Sequence, residues 1–209
     1  MKSHGYVRKL TTTAILSAIA FALMFVEISV PIMPSFVKLD ISDLPALLGA
    51  FAYGPVYGIV VELIKNLLHI LFKGTSSAFI GELFNFTCGA VFAASAGLIY
   101  RFRHTRRGAV LASLLGCLLM ALVSLPLNYF VVYPLYARMF GGMENIIGAY
   151  EAILGVIAKV PTGNSLFNCL LVFNVPFTFV KGLLDAVICF FIYKPLSGVL
   201  KGSAEKKSA

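Results

Sequence analysis

RFRHTRRGAVLASLLGCLLMALVSLPLNYFVVYPLY, residues 101–136, decides the fold class of this chain. Arg101, Arg103, Arg106 and Arg107 crowd its start, and from Gly108 to Tyr136 no charged side chain follows. A bilayer core about 30 Å thick needs roughly 20 predominantly apolar residues in a helix to cross it, and this run is longer than that. A helix on a soluble protein would carry a polar face opposite its apolar stripe; here only isolated serines, Asn128 and three tyrosines interrupt the apolar residues. The segment reads as a membrane helix over 109–136, entered from a basic turn, with Pro126 and Pro134 expected to bend it.

The whole chain agrees. Its 209 residues are 59% hydrophobic and only 12% charged, with a mean hydropathy of +0.92, whereas a soluble domain averages about 25% charged. A soluble core of this size cannot hide so much apolar surface, and disorder is excluded by the same numbers. The net charge of +8 is a matter of placement. Eleven of the 17 basic residues flank apolar stretches: Lys2, Arg8 and Lys9; the four arginines of 101–107; Lys194, Lys201, Lys206 and Lys207. That is the pattern of cytoplasmic loops. It lacks the interleaved aromatics of a nucleic-acid surface, so no nucleic-acid partner is expected. Cys88, Cys117, Cys169 and Cys189 stand far apart within apolar runs, as packing residues rather than a disulfide framework or zinc site.

Outward from the quoted stretch, the sequence predicts an all-α integral membrane protein, a single membrane domain over 1–209 with six transmembrane helices. The first runs over 10–30; its length argues against a cleaved signal peptide, whose apolar region is about 7–15 residues. Helices at 44–53 and 55–72 follow, the former too short to span alone and separated from the latter by Gly54-Pro55. Two more cover 79–101 and 109–136, and the last 166–193. Between them, 143–158 is expected to form an amphipathic helix at the interface. An even number of crossings puts both termini on one side, and with that side cytoplasmic the outer loops hold only Lys38, Lys73, Arg138 and Lys159.

Ionisable groups inside spans are costly and are functional candidates. Glu62 and Lys65 share a helix face, as do Lys181 and Asp185; Glu82 and Asn85 are one turn apart. Such pairs either lock the bundle or serve a function. Asn128, Tyr129, Asn174 and Lys181 fall in the outer halves of their helices, near Phe130, Tyr133, Phe173, Phe177 and Phe179. Aromatic walls with a few convergent amide and ammonium groups suit a flat, partly polar organic ligand better than an ion. Ala14, Ala18 and Ala22 form a small-residue ridge of the kind that lets a second helix approach closely, and Gly89, Ala93 and Gly97 form another. The sequence contains no GxxxxGK[ST], HExxH or GxSxG pattern, so neither ATP use through a P-loop nor zinc-protease or serine-hydrolase chemistry is expected.

Several stretches together resemble the substrate-binding (S) components of energy-coupling factor vitamin transporters, and among them the riboflavin-specific members. They are KLDISDLP over 38–45, Gly54-Pro55 leading to Glu62-Leu63-Ile64-Lys65-Asn66, Gly81-Glu82-Leu83 with Asn85-Phe86, Asn128-Tyr129, and Val175-Pro176-Phe177 with Lys181-Gly182. The resemblance implies a six-helix bundle in a bacterial cell membrane that captures riboflavin from outside and has no enzymatic activity or cofactor of its own. It also implies a transmembrane coupling subunit, reached through the Ala14, Ala18 and Ala22 ridge, and two cytoplasmic ATPases. Ligand contacts would come from Lys38, Leu39, Asp40, Glu82, Asn85, Asn128, Tyr129, Phe173, Asn174, Thr178 and Lys181. Thr178 stands where the family commonly has Asn. Within the class, the alternative ligand is another flavin such as FMN, or another vitamin such as thiamine or biotin. Outside it stand a small intramembrane enzyme using Glu62, Glu82 or Asp185, and a membrane protein whose polar pairs only lock the bundle.

Overall fold

A computed structural model describes residues 2–75, 77–139, 141–157 and 166–201. Five segments are long and apolar enough to cross a membrane: Gly5–Met24, Pro55–Lys73, Ile80–Phe102, Arg106–Met139 and Leu166–Tyr193. Their outward side chains, such as Ile15, Leu71, Leu122 and Phe191, are apolar and exposed. This is the stable arrangement where the surrounding solvent is as apolar as leucine.

The six expected membrane helices are therefore five of spanning length and one short one. The short one, α2 (Leu44–Tyr53), is buried from Leu44 to Phe51 and faces protein rather than lipid. It is joined to α3 (Pro55–Lys73) at Gly54, whose φ of +107° only glycine adopts without strain, with Pro55 opening the next helix. Tyr53 Oη donates to Thr12 Oγ1 at 3.2 Å, and the Lys9 ammonium sits 5.9 Å from the Tyr57 ring centroid. The Gly54 joint thus lies level with the start of α1 (Lys2–Met24).

α1 ends at Met24, short of the expected Val30. The chain is instead extended at Ile28–Ser29, since the residue before Pro31 is pushed out of the helical region. Ile28–Ser29 (β1) pairs antiparallel with Lys38–Leu39 (β2), Ile28 opposite Leu39 and Ser29 opposite Lys38. This hairpin hangs over one end of the bundle.

α4 (Ile80–Phe102) packs its small-residue ridge inward. A Cβ on Gly89 would lie 2.3 Å from Glu62 Oε2, and one on Gly58 of α3 would lie 2.8 Å from Ala93 Cβ. Gly89, Ala93 and Gly97 are therefore a packing seam against α2 and α3. The Ala14, Ala18 and Ala22 ridge is the reverse: all three are exposed, while Thr13, Leu16, Ser17, Ala20 and Met24 bury the opposite face of α1.

Of the two expected bends, the one at Pro134 takes the form of a π turn, while Pro126 lies within α5 (Arg106–Leu127); a further π turn precedes Pro176. α5 passes through a π turn at Asn128–Val132 into α6 (Tyr133–Met139). α8 (Leu166–Cys169) passes through a second at Leu170–Asn174 into α9 (Val175–Lys201). Each π turn ends two residues before a proline, Pro134 and Pro176. Widening the turn there relieves the clash between the proline ring and the carbonyl four residues back. Between the two rods, α7 (Met143–Ile157) occupies the region where an interfacial helix is expected. It is more than a surface helix, because Ile146 and Tyr150 are buried in the bundle. Ala158, Lys159 and the rest of the connection to Ser165 fall outside the described residues, as do Lys206 and Lys207.

Candidate ligand-binding site

A cavity of about 370 Å³ opens beneath the hairpin, between the two apolar cores of the bundle. Ligand pockets run from roughly 300 to 1,000 Å³, so it has the size for a small organic molecule. It is built by the end of α1 and the loop after it, the end of α3, the first turns of α4, α5 and α6 about their π turn, and the second π turn with α9.

Its floor is a charge cluster. Lys65 lies between Glu62 Oε2, at 2.8 Å, and Asp43, with which it makes a close ion pair. Asp43 also meets Lys181 Nζ at 3.1 Å, and Lys181 reaches Asp40 at 3.1 Å. Asp40 is held by Ser42, whose backbone N–H and hydroxyl donate to Oδ1 at 2.9 and 2.6 Å. The loop after α1 is thereby tied to α3 and α9 through paired charges, which tolerate burial only when so compensated. Glu62 and Lys65 do pair with each other. Lys181 and Asp185, one turn apart on α9, do not: the Lys181 ammonium turns to the two loop aspartates, which offer it two carboxylates at once. Neither carboxylate oxygen of Asp185 meets a hydrogen-bond donor among the described residues.

The mouth carries a second, exposed cluster. Glu27 accepts from Lys38 at 2.6 Å and from Lys73 at 2.9 Å, linking β2 to the end of α3. Partial burial alone would raise the Glu27 pKa, but the two ammonium groups outweigh it and hold the carboxyl below its ordinary value. Opposite, Thr75 and Ser77 donate to Glu82 Oε2, each at 3.1 Å. The same two hydroxyls accept from the backbone N–H groups of Phe79 and Gly81, at 2.9 and 3.0 Å. This holds the turn into α4, where Ala78 and Phe79 adopt positive φ.

Of the residues expected to contact a ligand, Lys38, Asp40, Glu82, Asn85, Asn128, Asn174, Thr178 and Lys181 line the cavity. Leu39, Tyr129 and Phe173 do not. Leu39 is half-buried in the hairpin. Tyr129 points out of the bundle, edge-on to Phe130 and Phe167 at 5.0 and 6.0 Å between centroids, and Phe173 packs on Tyr150 at 5.4 Å. The aromatic walls are the expected Tyr133 and Phe177 together with Phe36, Phe84 and Tyr136. His69 also lines the cavity and was missed in the sequence, although it lies one turn beyond Lys65 on the same face of α3. Phe36, in an irregular loop, gave no such signal.

The amides differ in what they can offer. Asn174 is consumed: its Nδ2 donates to Tyr133 Oη at 2.8 Å, and its Oδ1 accepts from Tyr150 Oη at 2.6 Å. The two tyrosine hydroxyls bond to each other and close the ring. Asn128 Nδ2, Asn85 Oδ1 and His69 Nε2 have no hydrogen-bond partner among the described residues, while His69 Nδ1 faces Glu82 Oε1 at 3.6 Å. A buried polar group left unpaired costs about 1–3 kcal/mol, so these atoms mark where a polar ligand would be received.

The chain matches the family described as "ECF transporter, substrate-specific component" over residues 8–193. It belongs to that family. The S component is 34% identical to the riboflavin transporter RibU of Staphylococcus aureus (strain TCH60), with 93% of both chains covered. It is 29% identical to the riboflavin transporter FmnP of Bacillus subtilis (strain 168), with 90% of both covered. A solved S component of a bacterial ECF transporter superposes with a TM-score of 0.70 at 32% identity, covering 94% of this chain and 99% of that one. The chain is thus a multi-pass membrane protein, the substrate-binding subunit of an ECF-type vitamin importer and not an enzyme.

Proposed function

We propose that the cavity binds riboflavin and that the chain delivers it to the cytoplasm together with a transmembrane coupling subunit and two ATPases. The observation that carries this reading is the pairing of aromatic walls with unpartnered polar atoms in one cavity, in a chain whose similar relatives are riboflavin transporters. Aromatic side chains such as Phe177 and Tyr136 stack on the flat tricycle. The Asn128 amide can donate and accept at the uracil-like edge, and Asn85, Glu82 and Thr178 offer partners to the ribityl hydroxyls. Lys181 stays between Asp40 and Asp43 and acts as floor, with any ligand contact shared with them.

The loop after α1 and the short α2 together complete the sixth crossing: α2 runs from the charge cluster at Asp43 to the Gly54 joint level with Thr12. Both termini then lie on the side of Arg101–Arg107, the cytoplasmic side by charge, and the cavity opens outward. The exposed ridge of Ala14, Ala18 and Ala22 is the docking face for the coupling subunit.

Purification from cells in mild detergent tests the ligand. The protein should carry flavin absorbance, and release riboflavin on denaturation; a colourless preparation that riboflavin does not colour on addition would overturn the assignment.

A further inference from the structure

At the end of the bundle that carries the arginine turn, a second cavity of about 680 Å³ lies between α5 and α9. It shares no lining residue with the first. Its origin is the way the two helices cross. A Cβ on Gly182 would lie 3.1 Å from Cys117 Sγ, so this is a point of close approach, and inclined rods that touch at one point part company away from it. Toward the arginine turn the gap is lined by small side chains, Ala109, Ser113, Ala186 and Cys189, together with the rings of Phe51 and Tyr100. Its rims are Val110 and Leu114 on α5, Val187 and Phe190 on α9, all exposed.

The groove has the dimensions and chemistry of one lipid chain. From Leu114 to Arg106 the rise along α5 is about 12 Å, close to the half-thickness of a hydrocarbon core of about 30 Å. At its open end the lining turns polar, with His104, Thr105 and Arg106. Arg101, Arg103 and Arg107 stand exposed on the same turn, and no carboxylate lines the groove.

We propose that this groove binds one anionic phospholipid from the leaflet that meets the arginine turn, an acyl chain lying between α5 and α9 and the phosphate meeting Arg106. An apolar partner helix would leave the guanidinium groups at the mouth without counter-charge; an anionic headgroup supplies it. The site is independent of the vitamin cavity.

Native mass spectrometry of the full chain in micelles with equimolar phosphatidylglycerol and phosphatidylcholine tests it. One phosphatidylglycerol should stay bound, favoured about fivefold, as expected for one arginine at the membrane surface. Arg106→Gln should bring the two lipids near parity, and Val187→Trp should block retention of both. Both positions are exposed; Leu114→Trp, on the opposite rim, repeats the block should Val187→Trp fail to fold. Equal retention of the two lipids by the wild type, an unchanged preference in Arg106→Gln, unchanged retention in both tryptophan variants, or a second protein copy in place of lipid would overturn the proposal.

Discussion

Lys181 Nζ lies 3.1 Å from Asp40 Oδ2, joining the last helix to the loop that follows the first. Because Lys181 meets Asp43 at the same distance, and Asp43 also pairs with Lys65, four charged groups from three parts of the chain stand or fall together. Removing one partner of such a buried set leaves the others uncompensated, at a cost of about 3–5 kcal/mol. Lys181→Ala should therefore lower the melting temperature as well as ligand binding. Lys181→Met combined with Asp40→Asn should recover part of the loss, read by thermal unfolding in detergent.

Asn128 and Asn174 should separate binding from stability. The Asn128 Nδ2 has no internal partner, so Asn128→Ala should leave the melting temperature nearly unchanged and weaken ligand binding by about tenfold or more. The Asn174 amide is spent on Tyr133 and Tyr150, so Asn174→Ala should cost about 1–3 kcal/mol of stability and loosen α7. Hydrogen exchange across Met143–Ile153 reads the loosening. Equal effects of the two variants on stability would contradict the distinction.

The alanine ridge of α1 makes a prediction about transport alone. Ala18 is exposed, opposite the buried face of α1, so Ala18→Trp should keep ligand binding and abolish uptake by cells carrying the coupling subunit and ATPases. Lost binding would show that the ridge packs within the bundle.

The latch at the mouth should respond to acid. The Glu27 carboxyl is held below its ordinary value of 4.5 by Lys38 and Lys73, so its contribution is present at and above that pH. It is lost as the pH falls through the lower folded-state value. A fluorophore at Ser35, an exposed site in the hairpin, should report increased mobility below about pH 4.5, the ordinary value cited above. Glu27→Gln should give that mobility at pH 7 and abolish its pH dependence.

Much of this was legible in the sequence, and the misses have physical causes. Long apolar runs mark the spans, and Pro134 marks where one rod changes pitch, whereas Pro126 is carried within α5. The end of α1 was not legible, because Val26–Val30 extends an apolar run and its true partner, Lys38–Leu39, lies a loop away. Lys181 and Asp185 share a helix face, but local spacing says nothing of the two aspartates that the loop brings to Lys181. Tyr129 was expected at the cavity from its place beside Asn128 in the family resemblance, and nothing local marks the π turn over Asn128–Val132. The π turn adds a residue there, and it is Tyr133 and Tyr136 that face inward. Asn128 and Asn174, both at the ends of π turns, were found from their polarity alone.

The most direct test of the central claim is a titration of ligand-free protein with riboflavin, followed by quenching of flavin fluorescence, with Asn128→Ala alongside. A riboflavin site predicts saturable one-to-one binding in the nanomolar-to-micromolar range, weakened in the variant and not displaced by excess thiamine or biotin. Folded protein that shows no saturable quenching, or whose binding is displaced equally by those vitamins, would contradict it.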